Sequence, residues 1–370
     1  MTTRPLHVAV DCRLMFYRRA GIANYTRRLV QALAGLDDDG GAPLRLTALL
    51  DRRDTEIDWL PIGVRVRRVV TPAHHRFEAW TLPLELAALD ARDSIDVLHS
   101  PDFIACRGRF RKVITIHDLY FLEHPEVMTA AAARYYGSIT RSARRADRVI
   151  AVSAFTRADI ARLLPECLPR THVVLEAADD MASAASNFPH IESTPPYALF
   201  VGTFEPRKNL ATLLQALVRT PEDVRLIVVG EAGWVDSEPA EIARALGVHE
   251  RVRFAGRVDD AELDQLYRGA RLLLHPALSE GFGLIVLEAM QRGVPVICSD
   301  SGALPEVVGD AALLHAPRDA ATLAAHIQTL WNDAVARAVL GERGRARAAE
   351  FSWQRAAHET CMVYRQALTL

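Results

Sequence analysis

Short runs of aliphatic and β-branched residues recur along this chain, and each is followed by a longer stretch whose apolar positions fall at helical spacing. In the first half the runs stand at 7–11, 44–50, 64–70, 94–100, 112–118, 148–153 and 172–177, with helical stretches near 22–35, 79–90, 129–146 and 155–164. The second half repeats the scheme with runs at 198–203, 224–230, 252–258, 271–277, 295–300 and 311–316. Its helices are expected near 207–219, 239–246, 260–269, 283–292 and 303–308, followed by a helical tail over 318–370. Strands alternating with helices predict βαβ units and parallel sheets. Two such series predict an α/β chain of two Rossmann-like domains facing each other across a cleft. The stretch DDMASAASNFPHIESTPP (179–196) is polar, rich in small residues and punctuated by proline, so it reads as a linker. The expected division is 1–180 for the first domain, 181–196 for the linker and 197–350 for the second domain. A closing helix over 351–370 is free to cross back to the first.

Composition changes this picture little. A chain of 370 residues suits two domains of about 150 residues each. No run approaches the roughly 18 uncharged apolar residues of a membrane-spanning helix, and Asp11 directly after a short apolar run predicts a first strand, not a secretion signal. The five cysteines show no metal-ligand spacing and read as small buried thiols of a reducing, cytoplasmic compartment. A net charge of −2 carries no nucleic-acid footprint. Of the 44 basic residues only Lys112 and Lys208 are lysines, so a surviving lysine is more informative than an arginine.

Residues able to do chemistry in α/β folds gather just after the strands. In GTFEPRKNL (202–210), Gly202 permits a tight turn, Pro206 suits a helix start, and Arg207 and Lys208 lie where amides and the helix dipole favour an anion. A cation there is mildly unfavourable unless an anion is present, so a pyrophosphate is the expected occupant, against a solvated basic pair. In SEGFGLIVLE (279–288), seven residues separate Glu280 from Glu288, and Gly281-Phe282-Gly283 keeps Glu280 in a loop before a helix that carries Glu288. Two carboxylates at different depths, with approachable amides between them, suit a ligand with many hydroxyls. They do not flank one bond as a glycosidase pair would. Taken singly, Glu288 could be an exposed helix residue and Glu280 an acid serving the helix dipole. His117, at the end of KVITIHD, is either a hydrogen-bonded structural residue or a site residue facing the cleft. His99 either lines the acceptor side or caps the sheet edge, and His275 is expected to be structural. Ser153 is expected to cap the helix that follows it. Asp37 and Asp39 satisfy D-x-D but sit in a DDDGG turn, so no metal is assigned to them. A dinucleotide-dependent dehydrogenase is excluded, because DCRLMFYRRAGIANY lacks GxGxxG.

The order and spacing of EPRKNL and HPALSEGFGLIVLEAMQRGVPVICSDSGALPEVVGDAALL (275–314) resemble the retaining glycosyltransferases of family 4, with the GT-B fold and the E-x7-E motif. Fainter echoes lie in IHDL (116–119) and AVSAFTRADI (151–160). The resemblance implies a nucleotide-sugar donor bound mainly by the second domain, with no cofactor and no metal. It implies that Glu280, with the amides of Gly281, Phe282, Gly283 and Leu284, holds the sugar hydroxyls, that Glu288 holds the ribose, and that Arg207 and Lys208 neutralise the diphosphate leaving group. Val258 would neighbour the base, Gly21 would lie near the phosphates and acceptor, and His117 beside the reacting centre. Many relatives carry more glycine after Gly21, where this chain has Ala23. The implied activity is transfer of a hexose, mannose from GDP-mannose first and a UDP-sugar second, to a saccharide or lipid-linked acceptor in surface polysaccharide biosynthesis. An epimerase or a non-catalytic nucleotide-sugar-binding protein are the readings from other classes. The basic clusters Arg107, Arg109, Arg111, Lys112 and Arg141, Arg144, Arg145, Arg148 offer peripheral contact with an anionic membrane at its cytoplasmic face, or else are solvated surface.

Overall fold

The computed structural model describes residues 4–17, 21–36, 43–75, 77–91, 93–127, 136–178, 195–231 and 238–369. The chain divides into two compact units, Met1–Glu176 with Ser352–Leu370, and Ala177–Phe351. Positions 181–194 of the expected linker, and Asp37 and Asp39, lie outside the described residues, as does the start of the helix expected at 129–146, whose described part is Ile139–Arg145.

In the N-terminal unit seven parallel strands form one sheet in the order β3-β2-β1-β4-β5-β6-β7. They are β1 (Leu6–Asp11), β2 (Leu44–Asp51), β3 (Arg65–Val69), β4 (Val97–Ser100), β5 (Arg111–Ile116), β6 (Arg148–Ala151) and β7 (Thr171–Val173). The central strands are buried on both faces, which is why they read as unbroken apolar runs. The edge strand β3 exposes Arg65, Arg67 and Arg68, charges that discourage pairing with another chain. Strand β7 is shorter than the run at 172–177 suggests, because its partner β6 ends at Ala151. Pairing stops once Val174 N has donated to Ala151 O at 3.0 Å.

The helix Trp353–Leu368, capped by Ser352, belongs to this unit and packs Ala356, Ala357, Val363, Tyr364 and Ala367 into its core. There His99, fully buried, bonds Tyr364 Oη at 2.7 Å through Nδ1 and Thr115 Oγ1 at 2.9 Å through Nε2. His99 therefore neither lines an acceptor face nor caps the sheet edge, since β4 is an inner strand. Burial drops its pKa to about 3.

The C-terminal unit repeats the architecture with six parallel strands in the order β10-β9-β8-β11-β12-β13. They are β8 (Tyr197–Val201), β9 (Arg225–Val229), β10 (Val252–Gly256), β11 (Leu272–His275), β12 (Val296–Ser299) and β13 (Leu313–His315). Strand order reverses between β1 and β4 in one unit and between β8 and β11 in the other, and such switch points open a crevice at the strands' carboxyl ends. All five cysteines are buried free thiols. Among the described residues no helix is long and apolar enough to cross a membrane.

One buried ion cluster ties the carboxyl ends of the N-terminal sheet together. Arg13, 1% exposed, gives Nε to Asp11 at 2.8 Å, Nη1 to Thr71 O at 3.1 Å and Nη2 to both Asp11 and Glu78. Removing one partner of such a cluster strands the others in low dielectric, at a cost of about 3–5 kcal/mol. The expected outcome for Arg13→Ala is a loss of that size in the N-terminal unit's unfolding free energy, read from denaturant titration, with Arg13→Lys intermediate.

Candidate active site

The basic pair sits on its own turn. Pro206–Lys208 form one turn of 3-10 helix, and Asn209 then takes a left-handed conformation (φ 57°) before the α-helix Leu210–Leu217 begins. The sequence suggested one continuous helix from 207. It breaks because the Asn209 side-chain amide is spent on two loop carbonyls, Pro276 O at 2.8 Å and Pro317 O at 2.6 Å. Leu278 N also donates to Arg207 O at 2.7 Å, so the turn is bonded along its backbone to the loop after β11. Gly202 opens this segment with Lys208's aliphatic stem 3.7 Å from where its Cβ would be. A Cβ on Gly230 would lie 2.0 Å from Gly202 O, so only glycine lets the loop after β9 approach so closely.

The loop after β11 carries Glu280, and the loop after β12 supports it from below. Ser301 Oγ donates to Leu278 O, and Ala303 N to Glu280 O at 2.8 Å. Gly302 (φ +64°) faces the backbone of Glu280, where a Cβ would sit 2.5 Å from its nitrogen. Glu280 is 8% exposed. Its Oε2 accepts Arg207 Nη1 at 3.0 Å, and its Oε1 accepts both Lys208 Nζ and His275 Nε2, the latter at 2.8 Å. Arg207 also reaches Ser279 O and Glu205 Oε1, each at 3.0 Å. Burial alone would raise the Glu280 pKa, but Lys208 and then Arg207, helped by the bond from His275, hold it well below the usual carboxylate range. At neutral pH this cluster is a carboxylate clasped by two cations.

Beyond Glu280 the chain turns through Gly281, Phe282 and Gly283 (φ +111°) into the helix Leu284–Gln291. Phe282 is buried edge-on against Phe351, with centroids 5.8 Å apart, so this segment can offer a ligand backbone only. Leu284 opens the helix, where amides lack an intrahelical acceptor. Glu288 lies on that helix, and its Oε2 accepts Tyr267 Oη at 2.7 Å. Tyr267 lies on the helix Asp260–Gly269, which starts two residues after the half-buried loop residue Val258.

The N-terminal unit holds the remaining assigned residues. Gly21 (φ +41°) opens the helix Ile22–Ala34 and accepts Tyr25 N at 2.9 Å. The buried Tyr25 ring meets the His117 ring edge-on at 4.8 Å, so these two positions are joined through one aromatic contact. His117, just past β5, places Nδ1 3.0 Å from Glu176 Oε1 and Nε2 2.8 Å from Pro101 O. Both contacts are to oxygens, an arrangement that favours the imidazolium, in which both nitrogens donate. Burial lowers its pKa, but the bond to Glu176, that residue's charge and the Pro101 carbonyl outweigh this and leave it raised. With acceptors at both nitrogens, His117 favours its charged form over the free base. Ser153 caps the helix Ala154–Leu163, accepting Thr156 N at 2.9 Å, and Thr156 Oγ1 in turn donates to His117 O at 3.1 Å.

The sequence reading assigns none of Gly302, Asn209, Tyr267 and Glu176 to the site, and His275, expected to be structural, turns out to be a partner of Glu280. Only Gly302 had a usable signal, a Ser-Gly directly after a strand. His275 was visible as a strand end but not as a partner.

Because His117 has a raised folded pKa, its pair with Glu176 adds stability in full below the ordinary histidine value of 6.5, and that contribution is lost as pH rises through the folded value. His117→Gln is therefore expected to flatten the fall in stability from pH 6.5 upward, measured by denaturant midpoints across the pH range.

Residues 19–179 match the family model described as Glycosyltransferase Family 4, and residues 183–347 that described as Glycosyl transferases group 1. The chain is 34% identical over 336 residues to O-antigen chain mannosyltransferase B of Escherichia coli, covering 87% of this chain and 83% of that one. It is 30% identical over 307 residues to MMP alpha-(1->4)-mannosyltransferase of Mycolicibacterium hassiacum, covering 75% and 72%. Its fold matches sucrose-phosphate synthase from Thermosynechococcus elongatus with a TM-score of 0.76 at 24% identity, over 98% of both chains.

Proposed function

The chain belongs to glycosyltransferase family 4, and from that premise we propose that it moves a hexose, mannose from GDP-mannose, to a saccharide or lipid-linked saccharide in surface polysaccharide biosynthesis. The observation that carries this reading is the Arg207–Lys208–Glu280 cluster. A nucleotide sugar breaks at the bond between its anomeric carbon and a diphosphate oxygen, which departs with negative charge. Arg207 can bind that diphosphate in a fork and Lys208 as a point charge. Such preorganised cations do most where charge develops in the transition state, and they supply the countercharge without calling on a metal. Glu280 then turns its oxygens to sugar hydroxyls, and Glu288, steadied by Tyr267, accepts from the ribose. In this reading configuration is retained. The acceptor oxygen attacks on the leaving group's face, its proton passes to the departing phosphate, and no side chain of the protein acts as nucleophile. The mannosyl choice rests on the two mannosyltransferase relatives.

A panel of GDP, UDP, ADP and their sugars in thermal shift tests this. One diphosphate is expected to stabilise the wild type, by about 2.7 kcal/mol at a hundred times its Kd, and Lys208→Ala to lose most of that shift. Turnover in the variant should fall by about 10²–10³. No stabilisation of the wild type by any diphosphate would remove the transferase reading. Turnover unchanged by EDTA is the expected result for the metal-free reading, and turnover without an added acceptor, giving an isomeric nucleotide sugar, would point to an epimerase.

The second part of the proposal is peripheral contact with an anionic membrane. The expected basic clusters are partly spent, since Arg111 and Lys112 pair with Asp147, Arg144 with Glu166, and Arg148 with Gln366 O. What supports contact is the helix Glu78–Asp90, which buries Leu82 and Leu86 and turns Trp80 and Leu84 outward, 74% and 73% exposed, with the exposed Phe77 at its N-cap. Exposed Arg107 and Arg109 lie on the loop whose Cys106 and Phe110 pack beneath that helix. An aromatic and aliphatic stripe beside arginines suits a lipid headgroup layer. Flotation with anionic vesicles at low salt should carry the wild type and leave the Trp80→Ser/Leu84→Ser variant behind. A wild type that stays at the bottom of the gradient ends this part of the proposal.

A further inference from the structure

Three donors converge on Glu280, and they differ in kind. Lys208 and Arg207 ride on the short Pro206–Lys208 turn, and both are cations that a diphosphate attracts. His275 is neither exposed nor charged. Its ring is fully buried at the end of β11, where the backbone lies in parallel register with Cys298 of β12. Since the Glu280 carboxylate can only accept, His275 Nε2 carries the hydrogen of their 2.8 Å bond. Its Nδ1 is buried and has no hydrogen-bond partner among the described residues. A proton there would be a buried charge with no acceptor, so the ring stays neutral. Its lowered pKa agrees: burial drives it down and the charges of Lys208 and Arg207 add to that, against the pull of Glu280.

Resting on the reading of Glu280 as the sugar-binding carboxylate, we propose that His275 is a positioning residue for the transfer. It is the fixed donor that keeps Glu280 aimed at the donor sugar while Lys208 and Arg207 turn to the diphosphate of the nucleotide sugar. Every hydrogen bond the two cations give to phosphate weakens their hold on Glu280, and a buried carboxylate with no donor left would follow them or swing to solvent. A neutral N–H built into the strand end is not drawn away by the incoming charge. His275 thus separates the cluster's two tasks, holding the sugar and receiving the leaving group.

This division has a signature in binding. Isothermal titration should compare the nucleoside diphosphate that stabilises the wild type with its hexose conjugate, for wild type, His275→Ala, His275→Gln, Glu280→Ala and the His275→Ala/Glu280→Ala pair. In His275→Ala the affinity for the bare diphosphate should stay within about twofold. The ratio of conjugate to diphosphate affinity should fall by about tenfold to a hundredfold, the worth of a hydrogen bond to a charged group. His275→Gln, whose amide nitrogen can reach the same oxygen, should restore much of the ratio. In the Glu280→Ala background, loss of His275 should change the ratio no further, because its effect passes through that carboxylate. An unchanged ratio in His275→Ala, an equal loss for both ligands, or a further fall in the double variant would each overturn the proposal. If the wild type binds no nucleoside diphosphate at all, the transferase reading itself falls and takes this inference with it, an outcome distinct from the other three.

Discussion

The constraint on which the C-terminal unit depends is a carboxylate that should not be inside a protein. Ionised Glu280, 8% exposed, is tolerable there only because two cations and a histidine N–H meet its oxygens. That requirement reaches far along the chain, since Lys208 and Glu280 are 72 positions apart. It obliges the loop after β8 to lie against the loop after β11, and the backbone bond from Leu278 N to Arg207 O and the Asn209 amide secure that contact. It also obliges the loop after β12 to pass directly under Glu280, which only a glycine at 302 allows. The ion cluster and the three strand-end loops are one structure.

The two units use one device in two charge states. Each sheet ends a strand in a histidine bonded to a buried carboxylate, His117 to Glu176 and His275 to Glu280. His117 has acceptors on both nitrogens, so its cation is favoured. His275 has an acceptor on one side, no hydrogen-bond partner on the other among the described residues and two cations nearby, so it is neutral. The histidine and carboxylate are the same in both places, and the surrounding charges and second partner decide the state. A charge-favouring site beside Gly21's helix and a neutral donor on the Glu280 carboxylate follow from that difference.

Much of this was legible in order along the chain. The alternation of apolar runs and helical spacings located the thirteen strands of the described residues, the inner ones because parallel strands covered on both faces are continuously apolar. The Ser153 cap and the placement of Glu280 before, and Glu288 within, the helix Leu284–Gln291 could be read from residue type and from the glycines at 281 and 283. Where the reading failed, the cause was a partner distant in sequence. The helix expected from 207 is interrupted because Asn209 serves carbonyls of residues 276 and 317. Strand β7 stops where β6 stops. His99 is a core residue because the last helix of the chain brings Tyr364 to it across 265 positions.

The amino-acid sequence by itself determined the α/β alternation, the residue types at the strand ends and the spacing that marks the family, since all of these are local or periodic properties. Only the tertiary structure decided that Arg207 and Lys208 rest on Glu280, that Tyr267 steadies Glu288, and that one strand-end histidine favours its charged form and the other its neutral one. Those outcomes are set by burial and by which acceptor or cation comes within about 3 Å. No single stretch of sequence carries that information, because each distance is fixed by two or three loops that meet only once the sheet has formed.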